Sequence, residues 1–157
     1  MEFYQQKRTI KITDLRIGSI VLYGTVQDHI IVGINYENLS VIIRPDKYRT
    51  TGQVKENSLL TKISNLKEKV VDISKIYSSP IILSKLNDYG FIWENKYTVY
   101  FLIESYKFIV QAIGLNEAKI IYDSNKYAIR TTVYSLHELQ NVFKNVSGID
   151  FIDIEKF

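Results

Sequence analysis

The sequence predicts an α+β protein: antiparallel strands first, then a second set of strands accompanied by two helices. Three observations carry this. Short runs rich in Val, Ile and the chain's 12 Tyr are bounded by turn residues, the pattern of strands. Residues 135–148 carry the start signal, apolar stripe and stop signal of an amphipathic helix. A shorter helical stripe follows Ser79-Pro80.

From the N-terminus, residues 1–13 read as a polar, basic lead-in, closing as a strand at Thr9–Ile12. Leu15-Arg16-Ile17-Gly18 turns into a first clear strand, Ser19–Gln27, with a bend at Gly24. Gln27-Asp28-His29 reads as a turn. A second strand spans 29–35 and a third 39–43, joined by Tyr36-Glu37-Asn38. Three short antiparallel strands with tight turns suggest a small SH3-like β-barrel, which needs two further strands from downstream. Residues 44–56 show no periodicity and read as a long loop. Residues 58–76 fit either a helix or a hairpin, with strands at 60–64 and 70–76.

Ser79 is a good N-cap followed by Pro80 at the first helical position. Ile82, Leu83, Leu86 and Tyr89 make a stripe, and Gly90 ends it. Strands follow at 91–93, 97–103, 107–113 and 119–133, the last divided by a turn at 123–126. Ser135 and Glu138 then form an S-x-x-E capping box, in which the carboxylate can reach back to the Ser135 N–H. Leu136, Leu139, Val142, Phe143 and Val146 fall on one helical stripe, Gly148 is placed to stop it, and a terminal strand spans 149–154. The expected organisation is therefore an SH3-like barrel with a basic loop over 1–76. An antiparallel sheet packed by two helices follows over 77–157, with both helices on one face.

Composition narrows the function. With no Cys there is no disulfide, thiolate metal site or Cys nucleophile. No apolar run has the length of a membrane span, and the N-terminus lacks the apolar core of a signal peptide, so a cytoplasmic protein is expected. The formal charge of +3 is uneven: residues 1–79 hold 12 Lys and Arg against 8 Asp and Glu, and residues 80–157 hold 8 against 9. Glycine-rich phosphate loops and the G-x-S-x-G elbow are absent. Neither of the two His has a neighbour that makes it a nucleophile's base, so no catalytic residue, metal site or cofactor is assigned.

Two surfaces remain as candidates. Arg44, Lys47, Arg49 and Lys55, with Tyr48 among them, could grip phosphates and stack a base. An ordinary solvated loop is the plainer reading. His137, Gln140 and Asn141 lie opposite the apolar stripe of the last helix and could face a partner. The plainer reading of His137 is a first-turn imidazole that bonds locally, and that of His29 a turn histidine. The acids Asp150, Asp153 and Glu155 read better as the solvent face of an edge strand than as a cation cluster. The tyrosines around 97–134 are expected in the second sheet, some on a face that no helix covers.

His137-Glu138-Leu139-Gln140-Asn141-Val142-Phe143, followed by Val146-Ser147-Gly148, resembles a C-terminal pattern of small phage and prophage proteins of Bacteroidota. That pattern runs close to H-Q-L-Q-N-L-Y-F-A-L-T-G. Leu15-Arg16-Ile17-Gly18-Ser19 is similar to their N-terminal L-R-I-G-N. Pro80 to Phe91 is similar to a P-(I/L)-x-L-T-x-x-x-L-x-x-x-G-F segment between the two. Together these matches frame most of the chain; Glu138 for Gln, Ser19 for Asn and a longer middle region are departures. The resemblance favours the hairpin over 58–76, where periodicity alone favours the helix. It implies a phage origin and the cytosol of an infected bacterium, and it transfers no catalytic residue. The expected function is a non-enzymatic accessory protein acting by binding. It would be a host-directed inhibitor or anti-defence protein that takes a small nucleotide or a host protein. A nucleic-acid-binding module and a minor virion or assembly protein are the alternatives, and self-association is left open.

Overall fold

The computed structural model describes residues 9–24, 27–45, 68–114, 116–126 and 128–152. They form two antiparallel five-stranded sheets and two short helices. The chain divides into two compact units. The first takes in the described residues up to Ser79 together with Ile152, and the second is Pro80–Phe151.

In the first unit, β1 (Ile20–Tyr23), β2 (Gln27–Asn35), β3 (Ser40–Pro45) and β4 (Lys69–Asp72) run as a meander. A 3-10 turn, Ile73–Lys75, then leads to β5 (Ile76–Ser78), which pairs with β1, so the sheet order is β4-β3-β2-β1-β5. Among the described residues the ladder is not closed between β4 and β5, so the expected barrel is an open sheet here. Asp72 caps the turn by accepting from the Ser74 N–H at 2.9 Å. Val21, Ile31, Val41, Ile43, Val71, Ile76 and Leu15 cluster as the core, with Tyr23, Ile10, Ile34 and Ile73 packed around it.

Several expectations are corrected. Gln27, Asp28 and His29 are not a turn: they open β2, paired with Tyr23, Leu22 and Val21. The chain reverses instead just after Tyr23, where Gly24 takes φ +77, a left-handed conformation that glycine adopts without a Cβ clash. Reading Gly24 as a bend within a strand displaced the turn by three residues. The expected strand at 70–76 is broken by the 3-10 turn into β4 and β5, and its partner at 60–64 lies outside the described residues. The lead-in strand at 9–12 reduces to one bridge, Thr9 to Tyr77, before a 3-10 turn at Ile12–Asp14.

In the second unit, α1 (Leu83–Asp88) precedes β6 (Ile92–Asn95), β7 (Thr98–Ile103), β8 (Tyr106–Gly114), β9 (Glu117–Asp123) and β10 (Ala128–Val133). Helix α2 (Leu136–Ser147) follows. The sheet is a simple meander, β10-β9-β8-β7-β6. Helix α1 starts later than its sequence signal. Ile82 stands at the N-cap and no side chain caps the end. Ser79 instead spends its hydroxyl on a long-range bond, donating to the buried Asp28 carboxylate at 2.8 Å. Residues 149–152 are not a strand.

The capping box of α2 forms with a shifted partner. Ser135 Oγ accepts from the Glu138 N–H at 3.3 Å, while Glu138 Oε1 accepts from the Tyr134 N–H at 2.7 Å, one residue earlier than expected. Gly148 closes the helix at φ +77. The unit's core is a knot of phenylalanines. Phe143 from α2 stands 5.0 Å from Phe108, 5.1 Å from Phe101 and 5.2 Å from Phe151, centroid to centroid. Phe91, just after α1, stands 5.2 Å from Phe101 and from Phe151. These separations fall in the favoured aromatic range, mostly edge-to-face.

Candidate functional site

The strand register decides which side chains share a face, because successive residues alternate across a sheet. Phe101 opposes Phe108, Phe108 opposes Tyr122 and Val110 opposes Ile120. Those residues make the face that Phe143 of α2 covers. The other face carries a row with one residue from each strand: Ile92, Tyr100, Ile109, Ile121 and Arg130. Ile92 is 47% exposed and Leu102, on the same face, 51%. Tyr100, Ile109 and Ile121 are half-buried among these neighbours.

Charge frames this stripe without interrupting it. The Lys107 ammonium lies 4.5 Å from the Tyr100 ring centroid and donates to Glu94 Oε1 at 2.7 Å. The ammonium thus sits over the aromatic ring while its charge is met by an acid of β6. That hydrogen bond to Glu94 raises the Lys107 pKa above its usual value. At the β10 end, Arg130 grips Asp123 in bidentate fashion, at 2.9 and 2.6 Å. The guanidinium holds the Asp123 carboxyl below the usual carboxylate range. Both ion pairs are exposed and contribute little to folding. Their effect is positional: Lys107 and Arg130 are each met by an acid, and the apolar row between them stays partly exposed.

This face differs from the expected one. It was to be rich in tyrosine, and it carries only Tyr100 among the described tyrosines in its central row. Tyr106 and Tyr122 point the other way, stacked edge-to-face at 6.5 Å, and Tyr97 is exposed in the β6–β7 turn. The sequence signal for the isoleucines was present in Phe108-Ile109-Val110 and Ile120-Ile121-Tyr122. Runs that are apolar at consecutive positions load both faces of a strand.

The residues singled out from sequence are dispersed. Arg44 lies in β3, opposite Ile30 and half-buried, while Lys47, Tyr48, Arg49 and Lys55 lie outside the described residues. His137 and Gln140 do not form an open polar face: they are 4% and 3% exposed, and Asn141 is half-buried. The buried arc of α2 comprises Leu136, His137, Leu139, Gln140 and Phe143. It is rotated away from Val142 and Val146, which are only half-buried, toward the polar side. His137 bonds locally, its Nδ1 3.1 Å from Ser135 Oγ. His29 is a strand residue, 7% exposed, with its ring edge-on to Tyr23 at 5.4 Å.

Among the described residues, no three His, Asp or Glu side chains are grouped as a metal site, and no helix is long and apolar enough to cross a membrane. No protein-family model, curated protein or solved structure matches the chain.

Proposed function

We propose that the chain is a non-enzymatic phage accessory protein that acts by binding a host protein, as a host-directed inhibitor or anti-defence factor in the cytosol of the infected cell. The observation that carries this reading is the isoleucine row on the uncovered face of the second sheet, with Leu102 beside it and paired charges at its rim. Contiguous apolar surface rimmed by polar groups is the ordinary chemistry of a protein–protein contact. Three sequence segments in the order found in small phage proteins of Bacteroidota support the origin. The strand order β4-β3-β2-β1-β5, with a 3-10 turn before β5, supports an SH3-like reading of the first unit.

The test is co-purification from the bacterial host followed by native mass spectrometry. The variants Ile92→Glu and Leu102→Glu place a charge at two exposed apolar positions of the face. The expected result is one stoichiometric host protein held by the wild type and lost from both variants, with their thermal unfolding unchanged. A host protein held equally by the variants would move the contact elsewhere on the surface. A released nucleotide would replace protein capture with sequestration of a small molecule. Recovered nucleic acid with a steep salt dependence would favour the basic half of the chain. A bare protein in every preparation would overturn the proposal.

A further inference from the structure

Sheet edges present unpaired backbone donors and acceptors, and proteins guard them against strand addition with short strands, bulges, charges or cover. Three of the four edges here are guarded. Strand β4 has four residues with Lys69 and Asp72 at its ends. Strand β5 has three, and Thr9 bridges to Tyr77 on its outer side. Strand β6 has four exposed residues, includes Glu94 and is interrupted by a bulge between Trp93 and Asn95.

Among the described residues, strand β10 has no bulge and no strand on its outer side, and it is longer than the other three edge strands. Its six residues pair with β9 in an unbroken register, from Ala128 opposite Asp123 to Val133 opposite Ala118. It contains no proline, and its one charge, Arg130, is already held by Asp123 within the same unit. Ala128, Arg130 and Thr131 are exposed. Among the described residues, β9 is its sole strand neighbour.

The sequence of β10 also says what fits beside it. We infer that β10 is the seam of a homodimer, in which two copies pair antiparallel about a two-fold axis through Thr131. In that register Thr131 meets the partner's Thr131, Arg130 meets the partner's Thr132, and Ile129 meets the partner's Val133. Threonine pairs and aliphatic pairs are favourable cross-strand neighbours, and no like charges stand opposite one another. Moving the axis to residue 130 would set the two Arg130 side chains face to face, and moving it to Thr132 would carry Arg130 past the end of the partner strand and lose the Ile129–Val133 pair, so charge and strand length together favour the Thr131 register. The two five-stranded sheets would join edge to edge, leaving the isoleucine face of each copy uncovered. The inference therefore does not depend on the identity of any host partner.

The experiment is light scattering of the full chain after size exclusion, with two single-residue variants. The wild type is expected at twice the 18.3 kDa of one chain. Thr131→Lys would place two ammonium groups opposite each other at the axis. The mass should fall by half, while Trp93 fluorescence and circular dichroism report an intact fold. Thr131→Cys introduces the chain's only thiol. Directly opposed residues in antiparallel strands have Cα atoms about 4.5–5.5 Å apart, within disulfide range. Mild oxidation should therefore give a covalent dimer, whereas Ile92→Cys on the opposite edge should not cross-link. A wild type that stays at the single-chain mass overturns the inference. So does a dimer that survives Thr131→Lys, or one that fails to cross-link through position 131.

Discussion

Replacing Phe143 by alanine should remove much of the stability of the second unit. The ring is fully buried and has four aromatic neighbours, Phe108, Phe101, Phe151 and Phe91, at 5.0, 5.1, 5.2 and 6.0 Å. Truncation leaves a cavity whose walls come from α2, β7, β8 and the segments after each helix. Those elements cannot all close on it at once. Buried Phe→Ala changes cost about 3–5 kcal/mol, and the four lost ring contacts place this site at the upper end. A unit of roughly 70 residues has about 4–11 kcal/mol in total, so the variant should approach its unfolding threshold. The single tryptophan, Trp93, lies on β6 of this unit, so its fluorescence during a urea titration reports this sheet. With a urea slope of about 1–1.5 kcal/mol/M, a loss of about 4–5 kcal/mol should lower the midpoint by roughly 3–5 M. Phe143→Leu keeps most of the volume and should fall much less. A loss below about 1.5 kcal/mol for the alanine variant would refute the claim that Phe143 is the centre of the core.

Three further outcomes follow from particular contacts. Ser79→Ala removes a buried hydroxyl that donates to Asp28 and should cost about 1–3 kcal/mol, read by far-UV circular dichroism during denaturation. Ser105→Gly should stabilise by about 1 kcal/mol in the Trp93-monitored titration, because the two-residue β7–β8 turn holds Glu104 at φ 50 and Ser105 at φ 79. Arg130→Gln should return the Asp123 carboxyl to its ordinary titration near 3.9, followed by NMR. In the wild type the lowered value means that the ion pair's contribution is complete above that pH and is lost as pH falls through the folded-state pKa.

The helix at 136–147 could be read from the sequence almost to the residue, because its signals are local. Ser135, Glu138 and Gly148 act within one turn of chain, and φ +77 at Gly148 is a backbone demand that few other residues meet. The strands of the second sheet were legible for the same reason, since alternation and turn residues are short-range. What escaped was set by distant partners. Ser79 looks like a helix cap and becomes a donor to a carboxylate 51 residues away. His29 looks like a turn residue because Asp28 and Gly24 flank it, yet Val21 and Tyr23 draw it into β2. His137 and Gln140 look exposed on a helical wheel, but polarity does not fix which arc of a helix is buried. An uncovered face of the second sheet is expected from the sequence, but as a tyrosine surface, and Ile109 and Ile121, which oppose one another there, are not singled out. Their consecutive apolar neighbours were the sign that the strands are loaded on both sides.

The two exposed features of the second sheet demand different protection, and this separates their roles. An apolar face can stay soluble if its rim is charged and its ions are paired, as with Lys107–Glu94 and Arg130–Asp123. A strand edge cannot be protected that way, because its backbone groups bond to any extended chain regardless of sequence. Arg130 bears on both. Its guanidinium is turned onto the face to hold Asp123, so it closes one end of the isoleucine row and leaves the β10 backbone without a guarding charge. Releasing Arg130, by Asp123→Asn, should therefore have opposite effects on the two surfaces. The freed cation would guard the edge and weaken self-association, while the face would keep its aliphatic row and its capacity to bind. A variant that lost both together would show that the edge and the face are one surface.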